Sequence, residues 1–441
     1  MTGFSMTSCK VVLMISAVLV QAHALTLGQA QNTMFAKNLD ITIANQEYCK
    51  KYYELAEANA VWYPSLDASA SYNGFTRDNS INITVPPNKA MPGGLSVNQN
   101  IPSDREELGV DLSYPVTAAF VNMYNVKYHD LAIKAKFAQN AALKNDLSFK
   151  LGLLFFQWDF SFSQTDVQKN LVSQYEAAVA QLKALEGGGM AAHAKVLQAQ
   201  ARLESAKVEL SACENRSDSM RIELVNFIQG ADTTVVPEPY AFHADNSGPL
   251  SVDTISLNTG RPELMAMDMT ISQLSTLNDI LRGQKYPNLV FDLGYRYGKP
   301  GLSLTGTDFM AYGVASAQLK FNIFDGNRVS SQQHQNQTQI EIARTQKQML
   351  INNFNSSLKT TKLQLTWAKK QEQAALVSLD AAHAFSEDSK NSLLHGTVTS
   401  LDYLDAVNNE AAAKLAVKQA KLMQNIALLK LYYVAGKELK Y

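Results

Sequence analysis

Apolar positions recur at two different periods along this chain, and the switches between them divide it into elements. Over 66–73 the period is two: Leu66, Ala68, Ala70 and Tyr72 are apolar, while Asp67, Ser69, Ser71 and Asn73 are polar. The alternation returns three times. Val110, Leu112, Tyr114 and Val116 alternate with Asp111 and Ser113, and Leu289, Phe291, Leu293, Tyr295 and Tyr297 with Asp292, Gly294, Arg296 and Gly298. Leu319, Phe321 and Ile323 then alternate with Lys320 and Asn322. Period two predicts four strands, each apolar on one face and polar on the other. Elsewhere the spacing is three and four, as in Leu171, Tyr175, Ala178, Leu182 and Leu185, which is the seam of a coiled coil.

No proline falls between Val116 and Val236 or between Gly301 and Tyr441, and 120–186 holds one internal glycine, Gly152. Proline-free stretches of this length predict very long helices over 120–186 and 327–394, each of about 100 Å at 1.5 Å per residue. Shorter helices are expected over 26–61, 191–227, 261–285 and 400–434.

The order of elements repeats. A first half, 25–230, and a second, 261–441, each run helix, strand, strand, long helix, glycine turn, helix. The segment 231–260 between them is rich in proline, glycine and aspartate and reads as an irregular linker. Tyr63-Pro64-Ser65-Leu66 opens the first strand of one half and Tyr286-Pro287-Asn288-Leu289 that of the other. The glycine turns echo each other 207 residues apart: Gly189 pairs with Gly396, Leu197 with Leu404 and Ala199 with Ala406. After the second turn, Thr399 or Ser400 can cap a helix with Asp402 in its first turn. Asp405 lies a turn further along the same face, where capping does not account for it. A loop over 76–106 is about 16 residues longer than its counterpart after Gly298.

The chain has 441 residues and a formal net charge of −1, so it offers no basic face for nucleic acid. Lys10, the apolar run 11–20 and Ala22-His23-Ala24 form a secretory signal peptide over 1–24, too short in its apolar part to span a bilayer. No other segment reads as a transmembrane helix. An exported chain without one is periplasmic, secreted or an outer-membrane β-barrel, and four strands close a barrel only with strands from other subunits. The remaining cysteines, Cys49 and Cys213, make no disulfide framework. Phosphate-loop, nucleophile-elbow and metal-ligand spacings are absent, so no catalytic residue, metal or cofactor is expected.

With Arg261-Pro262-Glu263-Leu264, Phe324-Asp325-Gly326-Asn327-Arg328 and Leu404-Asp405-Ala406 in the same order, nearly all of the mature chain resembles the TolC-like outer-membrane efflux family. The resemblance implies a homotrimer whose subunits each give four strands to one twelve-stranded outer-membrane barrel, continued by a periplasmic α-helical tunnel. It implies a passive exit duct that meets a periplasmic adaptor protein and, through it, an inner-membrane transporter of RND, ABC or MFS type. Cargo would be drugs or secreted proteins. The family's adaptor contacts map onto Gly188, Gly189, Met190, His395, Gly396 and Thr397, and its acidic entrance ring onto Asp402 and Asp405. Such a ring should raise some of its own pKa values. The family's latching arginine and tyrosine are Val398 and Leu393 here, and the first-half counterpart of Asp402 is Lys195. Lys195 is therefore expected to pair with Asp402 or another acid at the entrance. The competing reading is a periplasmic coiled-coil scaffold without a pore.

Overall fold

A computed structural model of the chain describes residues 24–441 except 77–78, 102–103, 231–235, 239–255, 300, 303–307 and 396. The signal peptide, apart from its last residue, and most of the linker lie outside the described residues. Two compact units emerge, each drawing on both sequence halves. One comprises the described parts of Met1–Cys49, Lys136–Met267 and Gln346–Tyr441, the other Lys50–Ala135 and Asp268–Thr345.

The element order is β1 (Ala24–Leu25), α1 (Leu27–Lys37), α2 (Leu39–Ala60), β2 (Ser65–Gly74), β3 (Asn79–Val85), β4 (Leu95–Ile101), β5 (Asp104–Pro115), α3 (Val116–Gly187) and α4 (His193–Ile228). It continues with β6 (Val236–Pro237), α5 (Pro262–Gly283), β7 (Asn288–Lys299), β8 (Met310–Lys320), α6 (Arg328–Leu394) and α7 (Ser400–Ala435). The helix expected over 26–61 is broken at Asn38, whose backbone turns extended. The Asn38 side chain makes the break usable. Its Oδ1 accepts the amides of Asp40 and Ile41, capping α2, while Nδ2 donates to the Phe227 carbonyl. An asparagine inside an apolar-periodic stretch carries that cap signal only weakly.

In the first unit, the seam read from the sequence is buried. Leu171, Tyr175, Ala178 and Leu182 of α3 pack with Val196, Ala199 and Leu203 of α4 and with Leu404 and Val407 of α7. A second core joins Leu27 and Met34 of α1 to Leu151, Phe155 and Trp158 of α3, Leu224 of α4 and Leu429 of α7. Gly152 sits where this core is tightest. A Cβ there would meet Tyr441 Oη at 2.6 Å and Leu429 Cδ2 at 2.7 Å, and Tyr441 donates to the Ser148 carbonyl one turn away.

The same unit contains a buried cation. Arg261 is fully buried, pairs with Glu263 at 2.7 Å, donates to the Val434 carbonyl at 2.5 Å, and lies over the Phe354 ring at 3.6 Å. Arg261-Pro262-Glu263 thus joins the start of α5 to the end of α7. Pro262 opens α5, where no donor is lost.

In the second unit, β2, β5, β7 and β8 form one antiparallel sheet in that order. The last strand differs from expectation. It runs Met310–Lys320, and Phe321 and Ile323 lie beyond it, exposed. Its apolar face is built from Ala311, Gly313, Ala315 and Ala317, whose contrast with their neighbours is faint, so the bulkier residues after it dominate the pattern. Asp325, Gly326 and Asn327 then turn the chain, the last two with φ of 64°, and Asp325 accepts the Val329 amide to start α6. Within the long 76–106 segment, β3 and β4 pair as an antiparallel hairpin. The Gln/Asn run at 330–339 is largely exposed, but Asn336 is buried and donates to the Leu274 carbonyl and Asn278 of α5.

Candidate functional site

The sheet is inverted relative to a soluble one. In β7 the apolar residues Phe291, Leu293, Tyr295 and Tyr297 are exposed, Leu293 by 55% and Tyr295 by 64%, while Asp292, Gly294, Arg296 and Gly298 between them are partly or fully covered. The register carries the apolar rows across all four strands, while in β2 and nearly all of β8 the residues of both faces are exposed. Leu66, Leu112, Leu293 and Ala315 share one row, as do Ala68, Val110, Tyr295 and Gly313, and Ala70, Leu108, Tyr297 and Ala311. Exposed aromatics stand at both ends of these strands: Trp62, Tyr63, Tyr286, Phe321 and Phe324 at one, Tyr72, Phe75, Tyr297 and Phe309 at the other. Monomeric soluble proteins rarely leave a contiguous apolar face of this extent in water. An apolar band between aromatic girdles on strands of about ten residues is how a barrel wall meets lipid. No described helix is long and apolar enough to cross a membrane.

The opposite face is polar and internally bonded. Arg296 bridges Glu107 at 2.8 Å and Asp111 at 3.3 Å, and the Tyr312 hydroxyl donates to Glu107 at 2.6 Å. Ser113 donates to Asp292 at 2.6 Å. Within the described sheet β2 and β8 are edges, each paired on one side only.

The two helical returns lie in the other unit and are closed by the same backbone bonds. The Gly188 amide donates to the Ala184 carbonyl and the Met190 amide to that of Leu185; 207 residues on, His395 donates to Asn391 and Thr397 to Ser392. Gly189 has φ of 73°, the left-handed conformation that ends a helix and favours glycine. Met190 is 76% exposed. Glu186 and His193 bridge the first return at 2.6 Å. Gly396 falls outside the described residues.

The predicted entrance acids have separate partners. Asp402 completes a capping box: its carboxylate accepts the Thr399 hydroxyl at 2.6 Å and amide at 3.2 Å, and its own amide donates to Thr399 Oγ1. These bonds, with a smaller contribution from the Lys195 charge, hold its carboxyl below the usual carboxylate range. Within one chain the shift is thus opposite to the one expected of a crowded ring, because the cap favours the charged form. Asp405 instead forms an ion pair with Arg202 of α4. Beside it, burial pushes the Tyr175 hydroxyl up; Arg202 opposes the shift and Asp405 adds to it.

Arg202 was missing from the sequence reading. Its counterpart 207 residues on is Asn409, so the echo does not mark it. The available signal was its place beside Leu203 at the edge of the α4 seam, where coiled coils carry interhelical ion pairs. The echo also misleads at Leu197. Its counterpart Leu404 is fully buried, but Leu197 is 51% exposed and Val196 takes the core position.

The Asp402 cap gives a pH dependence. A carboxyl whose folded pKa is depressed contributes stability above its unfolded value of about 3.9, and the contribution is lost as pH falls through the folded value. A spin label at Val398 should become mobile as pH drops below about 4. In Asp402→Asn it should be mobile already and lack that transition. A label insensitive to both would contradict the capping role.

The chain thus combines an open four-stranded antiparallel sheet with very long helices. The profile of the outer membrane efflux protein family matches residues 256–437, which bears out on that segment the resemblance seen in the sequence. No curated protein matches the chain in sequence. Among solved structures, the outer-membrane channel OprN is similar with TM-score 0.74 at 14% identity, over 93% of this chain and 89% of that one. The CmeC outer membrane channel of Campylobacter jejuni gives 0.74 at 15%, over 94% and 86%. The open state of the MtrE outer membrane channel of Neisseria gonorrhoeae gives 0.71 at 16%, over 94% and 89%. At these identities the likeness is one of fold.

Proposed function

We propose that the chain is a passive exit duct in the outer membrane of a Gram-negative bacterium, formed by three copies. The observation that carries this is the sheet: its apolar face is exposed, its polar face is bonded to itself, and both of its edges are open. Backbone groups facing hydrocarbon must be paired. The open edges of β2 and β8 are therefore completed by neighbouring copies, three of which give the twelve strands of a closed barrel. The helices continue as a tunnel into the periplasm, and the two sequence halves, 25–230 and 261–441, are its structural repeats.

The returns at 188–192 and 395–399 form the periplasmic entrance. Gly188, Gly189 and Met190, with His395, Gly396 and Thr397, are the surface offered to an adaptor protein, which links the duct to an inner-membrane transporter exporting small molecules or proteins. Asp402 and Asp405 line the entrance.

The Arg202–Asp405 pair holds α7 against α4 there, and Lys195 adds its charge beside Asp402. The pair is partly exposed and is worth at most about 1 kcal/mol to stability, so Arg202→Ala should fold normally yet open wider, seen as higher single-channel conductance. The swap Arg202→Asp with Asp405→Arg should restore the closed value. Unchanged conductance in Arg202→Ala would remove the latch role.

Reconstitution of the mature chain into planar bilayers tests the whole reading. Ohmic, cation-preferring conductance is expected. A chain that stays in solution and never inserts would instead be a periplasmic scaffold.

A further inference from the structure

The two ends of the apolar face are built differently. Both long helices follow one end, α3 directly after Pro115 and α6 soon after Lys320. At the other end the face finishes in two rows. Ala70, Leu108, Tyr297 and Ala311 form one, and Tyr72, Glu106 and Lys299 the next. Phe309, just before β8, stacks on Tyr297 with ring centroids 5.3 Å apart. Tyr72 on one side, and Tyr297 with Phe309 on the other, wall a trough of about 530 Å³ floored by Ala70 and Leu108. Small-ligand sites are of that size, on the order of 300–1,000 Å³. Glu106 also lines the trough, opposite Lys299, which is held by Asp104 at 2.7 Å.

An interfacial girdle accounts for the aromatic rings but not for the charges. At the helical end the corresponding rows, Tyr114 with Phe291 and Ala317, and Leu289 with Leu319, carry none. Among the described residues Glu106 makes no hydrogen bond or ion pair. A carboxylate left without a donor on a lipid-facing wall is a cost, so folding alone gives no reason for it. The trough has the make of a site for an amphiphile. Its floor suits a hydrocarbon chain. Exposed tyrosine rings pack against the C–H face of a sugar, and the carboxylate accepts its hydroxyls. A phosphate head meets a poorer match, because Lys299 is committed to Asp104 and Arg105 lies over the Phe75 ring at 5.5 Å.

We propose that each copy of the chain binds one sugar-headed membrane lipid in this trough, its head at Glu106 and Tyr72 and one chain along Ala70 and Leu108. The inference rests on the pore reading above, which puts this face in lipid and the end remote from the helices in the outer leaflet.

The test is native mass spectrometry of the assembled protein in phosphatidylcholine nanodiscs. These are doped with monoglucosyl diacylglycerol, phosphatidylglycerol or phosphatidylethanolamine carrying the same acyl chains. One glucolipid per copy should be retained, about tenfold more tightly than either phospholipid, which is the size of one hydrogen bond to a charged group. Glu106→Gln and Tyr72→Ala should each weaken retention about tenfold. Tyr63→Ala, among the aromatics at the helical end, should leave it unchanged. Equal retention of the three lipids, a preference for either phospholipid, or a glucolipid preference that survives both trough substitutions would overturn this inference alone. A chain that never enters a membrane would overturn the pore reading and this inference together.

Discussion

Leu293→Arg is expected to abolish assembly in the outer membrane. Leu293 lies mid-strand in β7 with its side chain on the exposed apolar face, in one row with Leu66, Leu112 and Ala315. An arginine at the midplane of a lipid-facing barrel wall costs about 2–4 kcal/mol per copy, and three copies would bear it together. Heat-labile oligomer in the membrane fraction is the readout, and its near-complete loss is the expected result. Asp292, the next residue, points to the opposite face, so Asp292→Asn should assemble normally. If Leu293→Arg assembled as well as the unsubstituted chain, that face would not be in lipid.

The second large effect is at Arg261. Its guanidinium is out of contact with water, clamped by Glu263, the Val434 carbonyl and the Phe354 ring. Arg261→Ala leaves the Glu263 carboxylate and a helix-end carbonyl without their donor and opens a cavity against Phe354. Breaking a buried pair from one side costs about 3–5 kcal/mol. The urea unfolding midpoint of the detergent-extracted chain should fall accordingly. Arg261→Lys keeps the charge but lacks the planar fork that serves Glu263 through two nitrogens, so its midpoint should lie between the two. A midpoint unchanged in Arg261→Ala would mean that this motif does not hold α5 to α7.

The parts of this fold that were legible in the sequence share a physical origin. The long helices show because proline is absent and the seam at Leu171, Tyr175, Ala178 and Leu182 is regular. Three of the four sheet strands show because bulky apolar residues alternate with acids and serines. The fourth was misplaced because Ala311, Gly313, Ala315 and Ala317 present little contrast with their neighbours and so leave a weak pattern. The break at Asn38 and the β3–β4 hairpin depend on local hydrogen bonds that periodicity does not register.

The helical returns were legible in part. Asp402 could be placed at a helix start from Thr399 alone, but the partner of Asp405 could not be found from spacing. Arg202 lies 203 residues away in the sequence, and only the packing of α4 against α7 brings it within reach. Long-range ion pairs of this kind leave no trace in a single sequence except a charge at the edge of a seam.

The account stands on the claim that the exposed face is covered by lipid and the open edges by copies of the same chain. The most direct measurement is the mass of the mature protein after expression and fractionation. It should be found in the outer membrane, require detergent for extraction, and weigh three chains once the bound detergent is subtracted. A single chain recovered from the periplasm in detergent-free buffer would contradict it.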